Sequence, residues 1–419
     1  MSQDDLSDLD VIVAGAGMAG AAFALGAAQA GLKVVLADPF PFEAQAAPTF
    51  DGRSTAIAWS TFRMLKALGL GEALEPHACR MDRILVTDGR RPGAASKRAL
   101  PAFLRFDADE IGDDTGGQPL GYMVENRHIR AALAGAVRRA GVRVLAPAGV
   151  KAVRLEEFAA EAELATGQVL KAPLIVGAEG RRSIVREAAG IGTTGWRYDQ
   201  WACVVTVRME KDHGNVAHEY FLPSGPFAIL PLTDQRACIV WCETPRRAEA
   251  LKAASDEAFL SHLRRRFGDF LGQVSVEGPR FVYPLSLELA ERMAAPRAAL
   301  IGDAAHGVHP VAGQGLNMGL KDVAALVEVL ADAVRLGEDI GSMTVLERYA
   351  RWRRFDTAAL AAGFDGFVRL FSNDDQLTRL ARGVGMAAVN RIAPARRLFM
   401  TEAGGASGDL PRLLRGERV

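Results

Sequence analysis

The sequence predicts an α/β fold: a Rossmann-like domain assembled from separated segments, an interleaved antiparallel-sheet domain of α+β character, and a set of C-terminal helices. Three observations carry this. A strand, glycine turn, helix and second strand run through residues 10–38. A second glycine-rich turn follows an apolar strand near residue 298, and alternating apolar and polar spacing recurs between 191 and 280. At 419 residues the chain also exceeds what one core usually serves.

In the first element, Asp10 to Ala14 reads as a short buried strand. Gly15, Gly17 and Gly20 then complete GxGxxG, with Ala19 in the same turn, and an alanine-rich helix runs from Ala21 to Ala30 and ends near Gly31. The three glycines serve different ends: a tight turn at Gly15, backbone approach to a pyrophosphate at Gly17, and close helix-to-strand packing at Gly20. The helix start offers unpaired N–H groups and a positive dipole end to that pyrophosphate. Asp38 ends the second strand, Lys33 to Ala37, and can accept hydrogen bonds from a ribose diol. A hydropathy window would flag Val11 to Ala37 as a membrane span, but Gly15, Gly17, Gly20, Gly26, Gly31, Gln29 and Lys33 interrupt it. The element says dinucleotide without separating NAD from FAD.

The second turn lies in AALIGDAAHGVHPVAGQGLNMGLKD, residues 298–322. A strand from Ala298 to Ile301 runs into Gly302 and Asp303, and a loop leads to a helix beginning near Leu316 or Asn317. A carboxylate at a strand end can bind sugar hydroxyls, and a glycine loop before a helix lets backbone N–H groups approach a ring carbonyl.

Here the chain resembles the flavin-dependent aromatic hydroxylases of the para-hydroxybenzoate hydroxylase type. GAGMAG (15–20), GAEGRRSIVR (177–186) and GDAAHGVHPVAGQGLNMGLKD (302–322) stand in that family's order. Within the group it is most similar to the ubiquinone-biosynthesis hydroxylases, through LGYMVENRHI (120–129), EYFLPSGPFAILPL (219–232), HPVAGQGLNMGLKDV (309–323) and GDLPRLLRG (408–416). The resemblance implies FAD as cofactor, NAD(P)H as reductant and O₂ as co-substrate. It implies that Asp303 contacts the ribityl and pyrophosphate portion of FAD, that Gly313, Gly315, Leu316 and Asn317 lie beneath the isoalloxazine edge, and that Arg53 and Arg127 lie along the cofactor. Glu179, before Gly180, departs from the family's usual Asp by one methylene. The implied reaction is capture of O₂ as a flavin C4a-hydroperoxide and electrophilic hydroxylation of a polyprenylated phenol on the route to ubiquinone. The cofactor carries that chemistry, and the protein supplies position, electrostatics and a dry site.

Gly315 and Asn317, at the helix start, are therefore candidate catalytic positions, stabilising charge on the reduced flavin. His309 is the candidate general base, since deprotonating a phenol activates its ring. For His306 a hydrogen bond within its own loop outweighs a base role. The apolar, proline-stiffened run from Tyr220 to Leu232 offers Tyr220, Phe221, Pro226, Leu230 and Pro231 as a substrate-pocket wall, balanced against an ordinary core strand. Cys238 and Cys242 share one strand face and are expected to pack.

Fifty basic and fifty acidic residues cancel, which removes any global electrostatic case for nucleic acid. The four cysteines lack zinc-site spacing and disulfide density, and no histidine and acid cluster stands at metal spacing, so no metal is expected and a reduced cytoplasmic setting fits. The acidic start, MSQDDLSDLD, is unlike an export signal.

The cofactor domain is expected over 1–79, 119–190 and 281–345, the substrate domain over 80–118 and 191–280, and a helical region over 346–405. In the last, Leu377, Leu380, Val384 and Ala388 share a face ringed by Arg379, Arg382, Arg391, Arg396 and Arg397. Such a helix can rest on the inner membrane or dock other ubiquinone-biosynthesis proteins, but packing over the cofactor domain with solvated arginines weighs somewhat more. Two further functional readings stand beside the first: hydroxylation of a small soluble aromatic acid, and a non-catalytic flavin-binding subunit of a ubiquinone-biosynthesis assembly.

Overall fold

The computed structural model describes residues 8–47, 50–88, 104–111, 117–222, 224–307, 314–354, 397, 400–401, 404–405 and 408–419. Its centre is a six-stranded sheet ordered Ala294–Ala295, Ala298–Leu300, Leu174–Gly177, Val11–Ala14, Val34–Ala37 and Arg143–Leu145. All its pairs are parallel except the first. Val11 to Ala14 is wholly buried, as an apolar run covered by helices on both faces should be.

The helix after the first glycine turn spans Met18–Gln29 and buries residues on every side, so it is an internal helix rather than an amphipathic one. Gly26 lets it approach Gln314–Arg335 closely: a Cβ there would stand 3.2 Å from a Val327 methyl. Asn126–Arg139 packs on its other side. The helix Gln314–Arg335 begins two to three residues before the expected Leu316 or Asn317.

An eight-stranded sheet carries the alternating segments. Its order is His306–Gly307, Val274–Ala290, Thr193–Met209, Arg236–Glu243, Gly225–Leu232, Val216–Leu222, Arg83–Asp88 and Leu104–Asp107. All neighbours are antiparallel except Val216–Leu222 with Arg83–Asp88. One face is closed by the helices Pro245–Ala253 and Asp256–Phe267, burying Trp241, Phe227, Tyr220 and Phe259. The strand Val274–Ala290 runs through residue 280, so one continuous element crosses the expected edge between the two domains.

A small sheet, Ser54–Ala58, Gly121–Glu125 and Ala78–Met81, lies between the two. Glu125 on its middle strand meets Arg236 of the large sheet at 3.0 Å, both buried, a charge-assisted tie that fixes one sheet against the other. The chain end returns to the first core: the Arg412 backbone N–H donates to Glu328 Oε2 at 2.6 Å, and Leu413 and Leu414 are buried. Residues 343–354 are helical, whereas Leu377, Arg379, Leu380, Arg382, Val384, Ala388, Arg391 and Arg396 lie outside the described residues.

Candidate active site

The three glycines of the first turn are there for different reasons. Gly15 has φ +99°, and a Cβ on it would lie 2.5 Å from the Ala178 carbonyl oxygen. A Cβ on Gly20 would lie 1.9 Å from the Gly15 carbonyl oxygen. Gly17 has an ordinary φ of −62°, and a Cβ there would meet nothing within 4 Å. The fold does not need that glycine; the space beside it does. That space is a cavity of about 560 Å³ lined by Gly15, Gly17, Ala19, Asp38, Glu179, Gly180, Asp303, Gly315 and Leu316 among others. The helix starting at Met18 has no side-chain cap and no acidic residue in its first turn, so its own first turn does nothing to neutralise its positive end. An uncapped helix start facing a cradle that a methyl would fill suits a pyrophosphate.

The three acids in this cavity differ. Asp38 is buried and accepts the Ala16 N–H at 2.6 Å and the Phe40 N–H at 2.8 Å, which orients it at the strand end. Glu179 turns back onto its own segment: Ser183 Oγ donates to it at 2.7 Å and the Val185 N–H at 3.1 Å. The carboxylate thus caps the short helix Ile184–Ala188, while burial raises its pKa. The extra methylene of Glu over Asp supplies the reach for that cap.

Asp303 stands exposed in the turn Gly302–Ala304, which is held from below. Asp322 Oδ2 accepts the Gly302 N–H at 3.0 Å and the His306 Nε2 hydrogen at 2.6 Å, and Asp322 Oδ1 accepts from Arg353 Nε at 2.8 Å. All three side chains are buried. Burial alone would raise the Asp322 carboxyl, but His306 and Arg353 hold it below the ordinary range. His306 is therefore a loop-holding residue. Arg186 adds a strut from the middle motif, donating to the Ala304 carbonyl at 3.0 Å. Neither Asp322 nor Arg186 stands out in the sequence, although each lies inside one of the three flavin motifs.

Several expected positions fall elsewhere. Asn317 is buried and clamps the strand Ser54–Ala58: it accepts the Ala58 N–H at 2.9 Å and donates to the Ala56 carbonyl at 2.8 Å. Its side-chain amide is thus committed to backbone. Arg127 donates to Glu125 at 3.1 Å and lines neither cavity, because that buried carboxylate and Arg236 form the stronger local partner set. Arg53 is exposed and paired with Asp51 at 2.8 Å, at the edge of a second cavity. His309 and Gly313 lie outside the described residues.

This second cavity, about 390 Å³, adjoins the first, since Ser54 and Asp303 line both. Its walls are mostly apolar side chains of the large sheet: Ala202 and Val204, Pro226, Ala228 and Leu230, Val240 and Cys242, and Leu285. Pro226 and Leu230 thus face it as expected. Tyr220, Phe221 and Pro231 do not: Tyr220 points through the sheet against Phe227, and Phe221 packs with Val86. For Tyr220 and Pro231 the reason is the pleat, which sends successive residues to opposite faces, whereas Phe221 shares the face of Glu219 and lies further along the strand. Glu219, missed in the sequence, lines the cavity in place of Tyr220. Cys242 both packs and lines it, while Cys238 is buried against Met123 and Leu232. Among the described residues, no group of acids, histidines and cysteines could hold a metal ion.

Known proteins agree with this geometry. A family model described as an FAD binding domain matches residues 8–361. The chain is 44% identical to the ubiquinone hydroxylase UbiL of Rhodospirillum rubrum over 97% of its own length and 92% of that protein. It is 35% identical to the 3-demethoxyubiquinol 3-hydroxylase of Escherichia coli over 94% of its length and 98% of that protein. Among solved structures, p-nitrophenol 4-monooxygenase PnpA from Pseudomonas putida superposes with a TM-score of 0.76 at 19% identity, covering 98% of this chain and 99% of that one, which speaks to the fold alone. With a dinucleotide cradle opening onto an apolar pocket and relatives matched almost end to end, the chain belongs to the ubiquinone-biosynthesis hydroxylases, a family of FAD-dependent aromatic monooxygenases.

Proposed function

We propose that this protein hydroxylates the aromatic ring of a polyprenylated phenol or quinone precursor in ubiquinone biosynthesis. The observation that carries the proposal is the apolar cavity meeting the cofactor cavity at Ser54 and Asp303, in a chain 44% identical to a ubiquinone hydroxylase. FAD, once reduced by NAD(P)H, supplies the oxygen-activating chemistry. The chain's own residues bind, orient and keep the site dry. In this reading the helix start at Met18 and the open side of Gly17 take the pyrophosphate, and Asp38 takes a ribose hydroxyl. Asp303 meets the ribityl chain where the two cavities join, and the Gly315 backbone lies under the ring edge. The sheet wall of Ala202, Val204, Ala228, Leu230 and Val240 excludes water from the reacting ring.

A small aromatic acid would call for a buried arginine to pair its carboxylate. The two arginines at this cavity are not buried: Arg53 is exposed and bound to Asp51, and Arg181 is half-buried and bound to Ser286. An apolar substrate suits such a wall better. Among the described residues no helix is long and apolar enough to cross a membrane. A prenylated substrate then has to be met at the bilayer surface, or handed over by other ubiquinone-biosynthesis proteins.

The test supplies FAD, NAD(P)H, O₂ and a prenylphenol in detergent micelles to the purified protein and follows the product by mass spectrometry. A ring-hydroxylated product is expected. Reducible bound FAD with no such product from any prenylphenol offered would overturn the reading.

A further inference from the structure

Within the second cavity one side chain is chemically unlike its surroundings. Glu219 sits on the strand Val216–Leu222 with Val86 and Ala228 as its strand partners, and what surface it keeps open lines the cavity. Among the described residues, no hydrogen bond or ion pair reaches its carboxyl, and burial raises its pKa from 4.5 to about 8. The other ionisable groups along this cavity are Arg53, Arg181, Asp303, Tyr283 and Cys242. Arg53 is taken by Asp51 and Arg181 by Ser286. The Cys242 thiol is pushed up by its own burial and by Glu219, so it stays protonated. An unpaired carboxyl in an apolar wall costs stability, and nothing in the fold gains from it. Its use has to lie with what enters the cavity.

We infer that Glu219 is the general base that takes the proton of the substrate's ring hydroxyl, an inference that rests on the hydroxylase reading above. In this step the phenol O–H bond breaks, the electron pair stays on oxygen, and the proton goes to the Glu219 carboxylate. The ring, now a phenolate, carries more electron density toward the electrophilic oxygen delivered at the cofactor. A base works best when its proton affinity approaches that of the acid it serves, and a carboxylate lifted toward the range of a phenol meets that condition better than an ordinary one. The apolar wall that lifts Glu219 is the same wall that holds the substrate ring.

The test compares wild type, Glu219→Gln and Glu219→Asp, each as FAD-loaded enzyme with a prenylphenol. For Glu219→Gln we expect kcat to fall about a hundredfold or more, with FAD content and the rate of flavin reduction unchanged. The ascending limb of kcat/KM near pH 8 should vanish, and a more acidic, ring-fluorinated phenol should restore part of the rate. Glu219→Asp should keep a limb at a shifted position. A second readout needs no turnover. The folded carboxyl holds its proton more tightly than the unfolded one, so wild type loses stability as pH rises from about 4.5 to about 8. Glu219→Gln should therefore raise the melting temperature at pH 9 and leave it unchanged at pH 4. Wild-type rate and an intact limb in Glu219→Gln would overturn the inference while leaving the hydroxylase reading in place. Should Glu219→Gln fail to fold, Glu219→Asp decides: a moved limb supports the base role and an unmoved one overturns it. Wild type that forms no product fails the hydroxylase reading itself.

Discussion

The cofactor cavity and the proposed substrate cavity adjoin, yet they are built from different materials. The first is backbone: Gly15, Gly17, Gly180, Gly302, Gly315 and Gly319, with helix starts between them and two acids, Asp38 and Glu179, that are already hydrogen-bonded. The second is side chain: alternate residues of several strands, one of them a carboxyl with no partner among the described residues. A backbone site tolerates few residue types because a Cβ is either admitted or not. A side-chain site tolerates many, because any apolar residue of similar volume preserves it. The cofactor half should therefore fail abruptly on substitution, and the substrate half should change by degrees.

The largest effect is expected beneath the cofactor half. Asp322→Asn keeps the shape that accepts the Gly302 N–H but removes the charge facing Arg353 and His306. Leaving a buried guanidinium without its counter-charge costs about 3–5 kcal/mol, which denaturant unfolding would register. The pH dependence has a definite sign. The folded Asp322 value lies below the ordinary 3.8, so its contribution is complete above that pH and is lost as pH falls through the folded value. Wild type and variant should converge in strong acid.

Next comes a contrast within one turn. Gly20→Ala forces a Cβ toward the Gly15 carbonyl oxygen and should destabilise the apoprotein by about 1–3 kcal/mol or more. In Gly17→Val the added Cβ meets no atom within 4 Å, so apoprotein stability should move by about 0.5 kcal/mol or less. It should nonetheless lose flavin, read as absorbance of the purified protein. A Gly17→Val variant that retains its FAD would remove the pyrophosphate from this cradle.

The same distinction governs what can be read from the sequence. The first turn, Asp38, Asp303 and Gly315 are legible because glycine spacing and a strand-end acid leave few backbone alternatives. The strand spans Ala202 to Met209 and Ala237 to Glu243, and the helix Asp256–Phe267, are legible from alternation and helical period. Glu219 escapes notice because a lone acid beside an apolar run resembles a solvated residue until its neighbours are known. The direction of Asn317 depends on Ala56, 261 residues away, and that of Arg127 on Glu125, a carboxylate itself held by Arg236, 111 residues further on. No local pattern reports such a partner.

The smallest effect tests the pleat itself, and it is the sharpest test of the comparison because the two residues belong to neighbouring strands. Leu230 faces the cavity, and Leu230→Ala enlarges it, so KM should rise about tenfold or more, since one methylene in an apolar site is worth about tenfold at the least. Tyr220 lies on the opposite face, its hydroxyl buried with no partner among the described residues. Removing an unsatisfied hydroxyl costs nothing and relieves a desolvation penalty, so Tyr220→Phe should leave stability equal or raised by about 1 kcal/mol. Its kcat and KM should match wild type, because the sheet stands between the ring and the cavity. A changed KM in Tyr220→Phe alongside an unchanged one in Leu230→Ala would mean the substrate enters from the helix-covered face, and the shared boundary at Ser54 and Asp303 would then have no part in bringing ring and cofactor together.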